Sequence, residues 1–122
     1  MSISSTLSRQ IVRNMLIDYL DLSLDEIASL GTFGIINLWE DIVPDSWDPE
    51  FFTEPVFSLD EQTSIKRFCE IWEQTSDATE YDTFEVTHLR SQKHWAVFVR
   101  EAQAARAQLS RRVKFSNEIE EF

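Results

Sequence analysis

Residues 30–58, LGTFGIINLWEDIVPDSWDPEFFTEPVFS, contain both glycines of the chain, all three prolines, two of its four tryptophans and six carboxylates, without a single Lys or Arg. Two kinds of sequence meet here. In the first, Ile35, Ile36, Leu38, Trp39, Ile42 and Val43 recur at helical spacing. Pro44 closes that run, because proline drives the preceding residue out of helical geometry. The reading is a short, very apolar helix over 35–43, central to the packing of the others. In the second, prolines, aspartates and aromatics predict an irregular loop over about 44–58. A connection of this length inside a small domain is commonly functional, and Trp47, Phe51, Phe52 and Phe57 give it apolar surface enough to be ordered.

Helical signals flank this stretch on both sides. Upstream, Leu7, Ile11, Met15 and Tyr19, with Val12, Leu16 and Leu20 beside them, predict an amphipathic helix over about 5–21. Ser23 and Glu26 form a capping-box pattern for a short helix over 24–30, which Gly31 can stop. Downstream, Ser58 and Glu61 repeat the capping pattern, and Ile65, Phe68, Cys69 and Trp72 continue it as a helix over about 59–75. Residues 76–85 have no period, although Asp82 with Glu85 could cap the next helix. This last helix, the longest, begins between 83 and 89 and runs to about 113. Trp95, Phe98, Val99, Ala102, Leu109 and Val113 are its inward row, and Arg90, Lys93, Arg100, Arg106, Arg111 and Arg112 its polar surface. The acidic tail 115–122 is expected to fray. No alternating strand pattern with a hairpin signal is present. The expected fold is all-α: one compact domain, 1–114, of about five helices, with the long acidic aromatic loop between the third and fourth.

The composition supports a folded core. A chain of 122 residues with 43% hydrophobic and 12% aromatic residues suits one domain. A single cysteine, Cys69, leaves no internal disulfide and favours a reducing compartment, so cytoplasm is the expected location. Arg9 and Arg13 interrupt the N-terminal apolar pattern, unlike a signal peptide, and no run approaches a membrane span.

The formal net charge is −11 and it is unevenly spread. Between Arg13 and Lys66 there is no basic residue, against twelve carboxylates. From 88 to 114 seven Lys or Arg face Glu101 alone. Either the basic helix neutralises the acidic body internally, or the excess negative charge steers a basic partner. Direct binding of nucleic acid or an anionic membrane by the acidic face is disfavoured.

Patterns for chemistry are weak. GTFG at 31–34 lacks the length and lysine of a phosphate-binding loop. His88 and His94 lie six apart, on different helix faces, and no zinc set accompanies them. Glu70 and Glu73 lack the histidine of a di-iron ligand set. DSWDPEFFTE has no central glycine for a calcium loop. Cys69 sits in an apolar row with Ile65 and Trp72, where a core role outweighs a nucleophilic one. The expectation is a protein that is not an enzyme and needs no metal or other cofactor.

Binding is the better-supported class, because interface centres favour large aromatics and charged rims set orientation and association rate. The candidate partner-binding residues are Glu40, Asp41, Asp45, Trp47, Asp48, Glu50, Phe51, Phe52 and Glu54; the competing reading turns the aromatics inward to cover the helices. In size and charge, though in no motif, the chain resembles bacterial immunity proteins, which neutralise a basic nuclease or other toxin. It also resembles phage-type inhibitors that imitate the charge of nucleic acid. The resemblance implies an acidic protein-binding inhibitor of a basic partner. The alternative is an interaction or assembly subunit that self-associates through the aromatic loop.

Overall fold

The computed structural model describes residues 4–43 and 47–122. Among these are six helices and no strand: α1 (Ser5–Tyr19), α2 (Leu24–Leu30), α3 (Thr32–Ile42), α4 (Leu59–Ala78), α5 (Val86–Ser91) and α6 (Lys93–Leu109). The start signals act as their chemistry requires. Ser4 accepts a hydrogen bond from Leu7 N, and Ser23 accepts one from Glu26 N. Ser58 and Glu61 form a complete capping box, each side chain accepting from the other's backbone amide. No helix of the described residues is long and apolar enough to cross a membrane.

A chain of aromatic contacts runs through the core and joins four helices. Tyr19 of α1 lies 5.3 Å from Trp39 of α3, centroid to centroid, and Trp39 lies 5.1 Å from Phe68 of α4. Phe68 then meets Phe98 of α6 at 5.2 Å, and Phe98 meets Trp95 at 5.0 Å. The apolar third helix is therefore central, with Ile35, Ile36, Trp39 and Ile42 buried. The predicted row of α4 is buried in full: Ile65, Phe68, Cys69 and Trp72.

Four features differ from the sequence reading. First, α3 begins at Thr32, before Gly34, so only Gly31 acts as the stop between two helices. Gly31 has φ +84°, and a Cβ there would lie 2.6 Å from Asp82 Oδ1 and 2.7 Å from the Phe84 ring. Glycine suits this joint for both conformation and space. Second, the long C-terminal helix is two helices, broken at Gln92, whose backbone is extended. Leu89 and Trp95 are both fully buried. Six residues apart, they would point about 120° from each other on one straight helix, and the break lets both face the core.

Third, the inward face of α1 is not only apolar. Leu16, Tyr19 and Leu20 are buried as expected, but so are Ile17, Gln10, Arg13 and Asn14, while Met15 is exposed. Fourth, the C-terminal segment covers that polar face. Gln10 donates to Ser116 O and Ile119 O and accepts from Glu121 N. Asn14 donates to Phe115 O at 2.7 Å and accepts from Phe115 N at 3.1 Å. A segment without helix must satisfy its own amides and carbonyls, and these two amide side chains supply both donor and acceptor. Val113, expected in the buried row, lies beyond the end of α6 and is exposed.

Arg13 fixes the junction. It is fully buried, and its guanidinium donates to both carboxylate oxygens of Glu61, at 3.3 and 2.9 Å, and to the carbonyls of Leu109 and Val113. Arg112 joins the same carboxylate from the other side. Burial by itself raises the Glu61 pKa, but the hydrogen bonds from Arg112 and Arg13 outweigh it and hold the carboxyl below its ordinary range. One side chain thus caps α4 and binds α1 to the end of α6.

Candidate acidic protein-binding surface

Residues 47–57 are folded inward by their backbone. Asp48 O accepts from Phe51 N and Phe52 N, and Asp48 Oδ1 accepts from Glu50 N at 2.9 Å. This tight turn aims Phe52 at the core. Phe52 is only 1% exposed, stacks on Trp47 at 4.9 Å, and meets Phe57 at 5.0 Å. From α1, Arg9 donates to Phe51 O and Glu50 O, with its guanidinium 5.4 Å from the Phe51 ring. At the far end Arg112 donates to Val56 O at 2.7 Å. The Glu54–Pro55 peptide bond is cis.

Of the expected partner-binding residues, Phe52 is therefore a core residue and offers no surface. Trp47, Asp48 and Phe51 are half-buried. Glu40 and Asp41 are exposed at the end of α3, and Glu50 and Glu54 are exposed on the loop. Asp45 lies outside the described residues. The carboxylates thus remain a surface, while the aromatic centre expected among them is mostly spent on the core.

The electrostatics divide the molecule. Three cations of the basic C-terminal third pair with the acidic body, Arg106 with Asp21 at 3.8 Å, Lys114 with Asp18 and Arg112 with Glu61, while Arg67 of α4 pairs with Glu101 of α6 at 3.1 Å. The Arg67 hydrogen bond holds the Glu101 carboxyl below its usual range. Among the described residues, Glu40, Asp41, Glu50 and Glu54 have no such cation; Arg9 and Arg112, which bond the loop, reach its carbonyls. Internal neutralisation and an outward negative surface coexist, on different parts of the fold.

An exposed aromatic and acidic segment does exist, but elsewhere. Tyr81 and Phe84 are 76% and 58% exposed, next to the exposed Glu80, Asp82 and Glu85. The segment is held against the start of α3. Thr32 N donates to Thr83 O, Thr32 Oγ1 donates to Tyr81 O, and Phe33 N donates to Asp82 Oδ1 at 3.2 Å. Asp82, expected to cap the helix after it, instead supplies the acceptor that Gly31 cannot give α3. The sequence did contain the signal, TEYDTFE, in a stretch whose missing period masked it.

The remaining chemical candidates are isolated from one another. Cys69 is buried, and burial together with Glu73 and Glu70 pushes its thiol pKa up to about 12, far from a reactive thiolate. His88 is exposed, 3.6 Å from Glu85. His94 is half-buried and burial lowers its pKa. Among the described residues no group of three or more His, Cys, Asp or Glu is placed to hold a metal ion.

Fold and surface together define a single-domain helical protein with an acidic face. No protein-family model matches the chain, and comparisons with curated proteins and with solved structures find no match.

Proposed function

We propose that this protein is an acidic, non-catalytic inhibitor that docks on a basic protein in the cytoplasm and neutralises it, in the manner of an immunity protein or a nucleic-acid mimic. The observation that supports this reading is the uneven pairing of charge. Carboxylates facing α6 and the C-terminal segment meet cations of the same chain, whereas Glu40, Asp41, Glu50 and Glu54 are exposed without one among the described residues. A surface of one sign steers an oppositely charged partner and raises its association rate.

The test is titration against the basic proteins encoded beside its own gene, by calorimetry at low and high salt. Affinity should fall by about tenfold or more as salt rises from roughly 50 to 300 mM. Simultaneous Glu40→Lys, Asp41→Lys, Glu50→Lys and Glu54→Lys changes should weaken binding by a similar factor. Tight binding indifferent to both salt and charge reversal would sink the proposal.

A self-associating assembly subunit is the second reading. The loop leaves little aromatic surface for it, and the exposed Tyr81 and Phe84 are what favours it. Light scattering at high concentration separates the two.

A further inference from the structure

Between α1, α2 and α3 lies a groove of about 330 Å³. Its walls are large apolar side chains left open to solvent: Met15 at 42% exposure, Leu30 at 55% and Leu38 at 40%. Ile35 and Ile42 form part of its floor, two helical turns apart, or about 10 Å along α3. Its only charged lining residues among those described are Asp18 and Glu26. We propose that this groove is the docking site for a basic amphipathic helix of a protein partner.

The shape and the charge point to the same occupant. A helix of about two turns presents apolar side chains at i, i+3 or i+4, and i+7, and such a row matches the length from Ile35 to Ile42. Met15 suits the task because an unbranched thioether adapts to an irregular neighbour. Lys or Arg on the flank of the incoming helix would meet Glu26, which has no ion pair among the described residues. Asp18 already takes a cation within the chain, since Lys114 reaches it from the C-terminal segment. An acidic helix would meet two carboxylates and no cation in the groove lining, and a second copy of this chain has a formal net charge of −11 to bring together with the first. The inference rests on the reading that the partner is basic, and it adds the partner's form.

The probe is a fluorescein-labelled 18-residue peptide of leucines and lysines, with the leucines in one helical row, monitored by fluorescence polarisation. Three outcomes are expected. The peptide binds, a peptide of the same composition in scrambled order binds at least tenfold more weakly, and Leu38→Gln or Leu30→Gln weakens the amphipathic peptide at least fivefold. Glu26→Lys should weaken it at least threefold. Circular dichroism identifies a variant that fails to fold; two leucines at different exposed positions keep the test available.

Equal binding of the scrambled peptide would overturn the proposal, as would indifference to both leucine changes. So would a groove covered by a second copy, seen as a dimer that Leu38→Gln dissociates. If the peptide fails while a basic protein still binds in a manner sensitive to Glu40 and Asp41, the groove proposal alone falls. If the peptide binds the groove but no basic protein is inhibited, the inhibitor reading falls and the groove stands.

Discussion

Two segments of this protein mix aromatic with acidic residues, 47–57 and 80–85, and they are used in opposite ways. In the first, Phe52 and Phe57 are buried and Glu50 and Glu54 are left outside. In the second, Tyr81 and Phe84 are exposed and a carboxylate, Asp82, turns inward to cap α3. The difference lies in what each backbone is tied to. The first is tied to Arg9 of α1 near its middle and to Arg112, just beyond α6, at its end. The second is tied to Thr32 by backbone and hydroxyl bonds and to the Phe33 amide by the Asp82 carboxylate, and its larger side chains stay exposed. Composition is the same in kind, and the anchoring points decide which groups meet water.

The largest expected effect breaks the first segment. Phe52→Ala should cost about 4 kcal/mol of unfolding free energy in urea denaturation, the usual range for emptying a buried phenylalanine site. Phe84→Ala, on the exposed segment, should cost less than about 1 kcal/mol. Similar costs for the two would erase the contrast.

Next in size is the carboxylate to which both the loop's far end and the C-terminal segment are tied. Glu61→Gln leaves Arg13 buried without its counter-charge, and about 3 kcal/mol of stability should be lost near neutral pH. The direction of the shift sets the pH dependence. The folded pKa of Glu61 lies below its unfolded value, so its contribution is present above the ordinary carboxylate range and is lost as pH falls through the folded pKa. Stability of the variant, measured from pH 7 down to pH 3, should therefore decline less steeply than that of the parent protein. Parallel pH profiles would show that Glu61 is not what couples the fold to protons.

A smaller effect than that of Glu61 sharpens the second segment. Asp82→Ala removes the acceptor from Phe33 N and should cost about 1 kcal/mol, as loss of a helix cap does. Faster amide exchange at Phe33, without change at Trp39, would locate the loss at the start of α3. An unchanged rate at Phe33 would mean that Asp82 does not cap the helix.

Much of the fold was legible because it is local. Helical spacing identified the cores of α1, α3, α4 and α6, and Ser23 and Ser58 marked two starts correctly. The buried row Ile65, Phe68, Cys69 and Trp72 needed only the period of a helix. The candidate surface was legible in its charges and not in its aromatics. Acidic side chains stay outside wherever the loop lies, because burying an unpaired charge is costly. Whether Phe52 stays outside depends on a cavity made by other segments.

By itself, then, the sequence determined an all-helical domain, the central place of Ile35, Ile36 and Trp39, and an excess of negative charge on one part of the chain. These features arise from periodicity and composition, which act over neighbouring residues. Only the tertiary structure decided that Gln10, Arg13 and Asn14 form a buried polar face, that the C-terminal segment lies on it, and that Asp82 serves a helix 49 residues away in the chain. Those outcomes depend on hydrogen bonds between groups distant in sequence, and a buried polar group is satisfied by whatever the fold brings to it.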